Sequence, residues 1–142
     1  MSEENLKRIL SFDGVMIGSD SSSRPLKGGD EPELPHPRAF GTFPRFIRRY
    51  VIERDLLELR RAVRMATGLP ADTFGIRERG YIRKGYYADI TIIDFEKITD
   101  RATYQNPFRQ PEGVEWVVVN GKVVVENGEH TGLLPGRFIT NK

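Results

Sequence analysis

The apolar positions change their spacing along the chain, and the change divides it into a helical first half and a stranded second half. Ser2 heads Glu3-Glu4-Asn5-Leu6-Lys7-Arg8-Ile9-Leu10, a short helix with a capping hydroxyl and two acids at the positive end of its dipole, which Phe12-Asp13-Gly14 breaks. Val15-Met16-Ile17 is a short run without polar alternation, the pattern of a buried strand, and it ends on Gly18-Ser19-Asp20. From Ser21 to Gly41 periodicity disappears, and Gly28-Gly29, Pro32, Pro35 and Pro37 predict a loop. A connection of about 20 residues in a compact domain is commonly a lid, a binding loop or a disordered segment. Thr42 then caps a predicted helix running from Phe43 through Val51, with Pro44 in its first turn and Phe43, Phe46, Ile47 and Tyr50 along one stripe. Asp55 to Glu58 has the residue types of a capping box, followed by Leu56, Leu59, Ala62, Val63 and Ala66 at helical spacing and a stop at Gly68. Leu69 to Gly75 predicts one more short helix, with Pro70 near its start.

The second half is organised around Gly80 to Asp94. Gly80 and Gly85 mark turns, and Ile90-Thr91-Ile92-Ile93 predicts a core strand. Val117-Val118-Val119, Asn120-Gly121 and Val123-Val124-Val125 predict a hairpin, because both residues of such a turn need positive φ and Asn-Gly tolerates it best. The fold expected is α+β. Residues 1–75 carry the helices, the strand and the long loop, and residues 76–142 form a small antiparallel or mixed β subdomain.

Composition narrows the class. A chain of 142 residues suits one domain, or one with a subdomain. Its 22 basic and 20 acidic residues leave a net charge of +2, which by itself implies neither nucleic acid nor membrane as a partner. No cysteine is present, so disulfides and thiol chemistry are excluded. No charged-then-apolar leader opens the chain, and no apolar run approaches the roughly 20 residues of a membrane span. A soluble, cytoplasmic protein without a membrane partner is expected.

Four stretches carry a resemblance: Val15 to Asp20, His36-Pro37-Arg38-Ala39-Phe40-Gly41-Thr42-Phe43-Pro44-Arg45, Leu69 to Gly75, and Gly80 to Asp94. Together with Gly128-Glu129-His130-Thr131-Gly132, they resemble the carboxyl-terminal part of the N-acyl-D-amino-acid deacylases (D-aminoacylases) of the amidohydrolase superfamily. The resemblance implies a carboxyl-terminal remnant comprising the last barrel strand, its helices and a small sheet. It also implies hydrolysis of N-acyl-D-amino acids to a D-amino acid and a carboxylic acid, with zinc as cofactor. Asp20 matches the family's acid at the end of the last barrel strand, which faces the metal and moves a proton from water to the leaving amine. A carboxylate beside a cation stays ionised and able to act as a base. Arg38 matches the arginine that grips the substrate's α-carboxylate, a task that suits a planar guanidinium.

Two departures modify these expectations. In the deacylase pattern a glycine follows the aspartate and the loop to the arginine is shorter. Here Ser21-Ser22-Ser23-Arg24 follows, which bears on substrate preference more than on reaction type. A catalytic zinc needs about three protein ligands, and the only histidines are His36, expected to be exposed and uninvolved, and His130, expected in a surface turn. The chain is therefore expected to be inactive alone, to hold no stoichiometric zinc, and to cover its open surfaces by self-association or with a separate amino-terminal chain. A hydantoinase-like or dihydroorotase-like cyclic amidase would share the Gly80 to Asp94 stretch but not His36 to Arg45. The arginines between Arg45 and Arg64 admit a nucleic-acid reading, against which stand the absence of a nucleic-acid motif and an expected Arg49 to Glu53 pair on one helix face.

Overall fold

A computed structural model describes residues 2–26 and 34–140. Gly28, Gly29 and Pro32 of the expected loop lie outside the described residues. Among those described, α1 (Glu3–Ser11), α2 (Arg38–Phe46), a π-helix (Ile47–Glu53), α3 (Leu59–Ala66) and α4 (Gly68–Thr73) precede a four-stranded sheet. Its strands are β1 (Ile90–Ile93), β2 (Val114–Val119), β3 (Lys122–Glu126) and β4 (Glu129–His130), all antiparallel and in sequence order. The α+β class holds, and the sheet is antiparallel.

Ser2 caps α1 as its residue type predicts, its hydroxyl accepting the Asn5 amide at 3.2 Å. Leu10 from this helix joins Phe46, Val51, Leu57, Ala62 and Met65 in one buried cluster. Val15 and Ile17 pack against that cluster, but they do not form the expected strand. A strand is stabilised by a paired neighbour, and here the stretch is tied to the helices through the Ile17 N–H, which donates to the Met65 carbonyl at 3.1 Å.

The helix starts also differ from expectation. The helix after the loop begins at Arg38, not Phe43, so Thr42 is internal and its hydroxyl donates to the Arg38 carbonyl at 2.8 Å. Pro44 consequently lies inside α2, where it cannot donate a backbone hydrogen bond. The chain then widens into the π-helix, seen in the Arg54 N–H reaching back five residues to Arg49. This pitch changes the ion pairs. Residues five apart come together, so Glu53 pairs with Arg48 at 2.9 Å rather than with Arg49, which reaches Glu3 at 2.7 Å. Asp55 has φ 48° and does not cap α3. It turns the chain out of the π-helix, and the Leu56 and Leu57 amides return to the Tyr50 carbonyl. Gly68 opens α4 instead of ending α3, and its missing side chain makes room for Tyr81, whose ring would lie 2.5 Å from a β-carbon there.

The predicted hairpin forms, with φ of 48° at Asn120 and 74° at Gly121. Its turn is fastened to the stretch before β1: the Asn120 amide donates to Asp89 Oδ1 at 2.8 Å, and Arg79, stacked 4.2 Å from the Tyr87 ring, donates to Asn120 Oδ1 at 2.6 Å. β1 is not a buried core strand. It forms the edge of the sheet, and Ile92 is 52% exposed. A tight turn follows it. Lys97, helped by the Lys97 and Glu96 amides, holds the Asp94 carboxyl below the usual carboxylate range, and Asp94 raises the Lys97 ammonium in return. On the helical side, a hydrogen bond to Asp72 raises the Tyr81 phenol.

Candidate active site

Asp20 and Arg38 meet. Arg38 Nη1 lies 2.9 Å from Asp20 Oδ2, although 17 residues separate the two in sequence. The pairing follows from two local constraints. Ile17 is pinned to Met65, which delivers Asp20 near the start of α2, and Asp20 itself turns outward with φ 50°. On the other side, buried Pro37 fixes the approach to α2 and places Arg38 in its first turn. The pair is open to water, the Asp20 side chain being 84% exposed and that of Arg38 45% exposed.

Beside Arg38 lies a cleft of about 340 Å³. The α2 residues Arg38, Thr42 and Arg45 recur at helical spacing and form one wall, while Asp100, Thr103 and Tyr104 form the other. Arg45 Nη1 binds Asp100 Oδ2 at 3.0 Å. Gly41 permits this approach, since a β-carbon there would stand 3.0 Å from that of Asp100.

His36 is exposed as expected, yet it is engaged at both ring nitrogens. Nδ1 accepts the Arg38 amide at 3.0 Å, and Nε2 lies 2.9 Å from the Tyr104 hydroxyl. His130 is exposed on β4, where its Nδ1 accepts the Gly132 amide at 2.9 Å. Tyr104 and Asp100 carry no sequence signal, because they sit in an irregular segment some sixty residues from the helix they meet. Among the described residues, no three His, Cys, Asp or Glu side chains converge to hold a metal ion. Asp20 offers a single carboxylate, so the described residues do not by themselves make a zinc site.

A family model described as amidohydrolase family matches residues 24–125. The chain belongs to the amidohydrolase family. Among curated relatives of this amidohydrolase, the D-aminoacylase of Alcaligenes xylosoxydans xylosoxydans is 39% identical over 139 residues, covering 98% of this chain and 27% of that protein. The N-acyl-D-glutamate deacylase of the same organism is 40% identical over 139 residues, with the same shares covered. A crystal structure of D-aminoacylase, described as defining a novel subset of amidohydrolases, superposes with a TM-score of 0.82 at 41% identity, covering 94% of this chain and 27% of that one. The N-acyl-D-glutamate deacylase of Bordetella bronchiseptica, complexed with zinc and a phosphonate mimic of the tetrahedral intermediate, superposes at 0.76 with 39% identity over 87% of this chain and 25% of that one. The amidohydrolase chain described here thus spans about a quarter of the length of these relatives.

Proposed function

We propose that this chain is a section of an N-acyl-D-amino-acid deacylase, with residues 1–75 supplying the active-site loop and helices and residues 76–142 a small β subdomain. The reaction is hydrolysis of the amide bond, in which water adds to the acyl carbon and the D-amino acid leaves as its amine. Asp20 takes the proton from the attacking water and returns it to the leaving nitrogen. Arg38 holds the α-carboxylate through two parallel hydrogen bonds. The observation that carries this reading is the 2.9 Å Asp20–Arg38 pair, exposed at the rim of a cleft. It sets a base and a carboxylate-binding group within reach of one small substrate, and a substrate carboxylate that takes over the guanidinium leaves Asp20 free to accept a proton.

The zinc that accompanies the phosphonate in the glutamate deacylase is held, in this proposal, by groups other than the described residues, with Asp20 facing it. Hydrolysis by this chain alone is not expected. Its exposed apolar side chains, among them Phe12, Ile82 and Phe138 at 67%, 85% and 91% exposure, are covered by a second copy or by a chain supplying the rest of the enzyme. Light scattering on the purified chain checks the first arrangement, and a monomer leaves only the second.

The catalytic test is a chimera in which this chain replaces the matching section of a zinc-loaded D-aminoacylase. The chimera is expected to hydrolyse N-acetyl-D-amino acids, and Asp20→Asn to lower kcat by about 10² to 10⁴. Undiminished turnover in that variant would remove Asp20 from the chemistry. The cyclic-amidase reading has less support, since the relatives named above are deacylases. The ion pairs weigh against the nucleic-acid reading. Arg45, Arg48, Arg49, Arg54 and Arg61 are paired with Asp100, Glu53, Glu3, Glu3 and Asp13, so five of the seven arginines from Arg45 to Arg64 brace the chain itself.

A further inference from the structure

We infer that His36 and Tyr104 form a clamp that positions Arg38, so that a residue of the irregular segment before β2 governs how well the substrate carboxylate is held. The inference rests on the proposed role of Arg38. Its starting point is the hydrogen bond from the Arg38 amide to His36 Nδ1, 3.0 Å long. A nitrogen that accepts an N–H carries no proton of its own, so neutral His36 bears its proton on Nε2. That N–H lies 2.9 Å from the Tyr104 hydroxyl and donates to it, and the two rings meet edge to face at 5.0 Å. Tautomer, ring orientation and the first backbone amide of α2 are thereby set together.

The segment bearing Tyr104 is itself held. The Thr103 amide donates to the Asn106 carbonyl at 3.1 Å, the Asn106 amide returns to Thr103 Oγ1 at 3.0 Å, and Asp100 is fixed by Arg45 one helical face along. Arg38 is held at its other end as well, where its carbonyl accepts the Thr42 hydroxyl. Its backbone is therefore fixed on both sides, while its guanidinium sits in the exposed pair with Asp20, where a ligand carboxylate can take it over. Tyr104 and His36 touch neither Asp20 nor the guanidinium in any bond observed, which makes them positioning residues.

The test has two arms. In the full chain, nitrogen NMR at about pH 8, where free imidazole is uncharged, reads the His36 ring nitrogens, assigned by their loss in His36→Asn. An unprotonated Nδ1 and a protonated Nε2 are expected, and Tyr104→Phe moves the Nε2 resonance. In the chimera, Tyr104→Phe and His36→Asn each raise KM for an N-acyl-D-amino acid about threefold to tenfold, with kcat little changed. Asparagine keeps a short side-chain acceptor for the Arg38 amide, so its effect reports the lost bond to Tyr104 and not a lost cap. The double variant is no worse than either single one, because both break the same bond. The corresponding carboxamide, which offers Arg38 no carboxylate, is hydrolysed equally by all of these enzymes. A protonated Nδ1, additive effects, or equal loss on acid and carboxamide overturns the positioning role. An unmodified chimera that treats acid and carboxamide alike overturns the carboxylate-binding reading of Arg38 and this role with it. The ring-nitrogen arm tells the two failures apart.

Discussion

In the helical half, Leu10, Phe46, Val51, Leu57, Ala62 and Met65 bury one another from five segments of chain. In the sheet, β2 is half-buried throughout, and among the described residues Val124 is the only one in a strand that falls to 9% exposure. The helices are thus organised by what they touch far away in sequence, and the sheet by turns that are chemically specified on the spot. Glu3 binding both Arg49 and Arg54, and Arg61 donating to the carbonyls of Leu10 and Phe12, are contacts of the first kind. The Asn120-Gly121 turn is of the second kind. Redundancy differs accordingly: a loss in the shared cluster is felt by several elements, whereas a loss in one turn is felt by its own hairpin.

The largest effect is expected from Leu57→Ala. The side chain is 4% exposed, and truncating a buried leucine costs about 2–5 kcal/mol, read as a lower denaturation midpoint in urea. A cost below about 1 kcal/mol would mean that the helical cluster does not organise its half.

Next come two glycines of similar conformation in different surroundings. Gly113 has φ 77° and a β-carbon there would lie 2.5 Å from the Ile98 amide nitrogen, while Gly121 has φ 74° with open space around it. Gly121→Ala carries only the backbone cost of about 1 kcal/mol, and Gly113→Ala adds a collision with backbone that brings it to about 2–3 kcal/mol. Equal losses in thermal melts would show that the collision is relieved cheaply and that β2 is less firmly seated on Ile98 than its neighbours imply.

That contrast also marks what the sequence made legible. The hairpin was readable because two adjacent residues state its geometry. The cap at Ser2 was readable for the same reason. The phase of the helices was not. Thr42 and Asp55 have capping chemistry, but His36 caps α2 ahead of Thr42, and the π-helix consumes the residues before Asp55. Ile90 to Ile93 reads as buried by composition, yet an edge position leaves Ile92 open, and edge or centre is a property of the whole sheet. At the cleft, the resemblance singled out Asp20 and Arg38, and the structure pairs them at 2.9 Å. The contact of His36 was not legible, because its partner Tyr104 is distant and lies in no periodic element.

The smallest effect concerns the turn after β1. Asp94 titrates below the usual carboxylate range because of Lys97, so the carboxylate form is favoured by folding. Its contribution is complete above the unfolded value, about pH 4, and is lost as the pH falls through the lower folded value. Lys97, raised by the same contact, contributes at neutral pH and loses its share as the pH rises through its folded value on the alkaline side. Melting temperatures of the protein and of Asp94→Asn should therefore differ at neutral pH and converge in acid. A gap that widened in acid would reverse the assignment.

The π-helix between α2 and α3 also bears on how this chain tolerates insertion and deletion. Each residue of an ordinary helix turns the chain by about 100°, so the wider turn over Ile47–Glu53 amounts to one residue more than ordinary pitch would use. Losing a single codon there would leave composition almost untouched and let the segment wind as plain α-helix. The face of α2 that carries Arg38 and Arg45 would then swing away from Asp20 and Asp100, and Glu53 would no longer lie over Arg48. The aim of Arg38 is written partly in the number of residues behind it, and substitutions within that segment should be tolerated more readily than a change in its length.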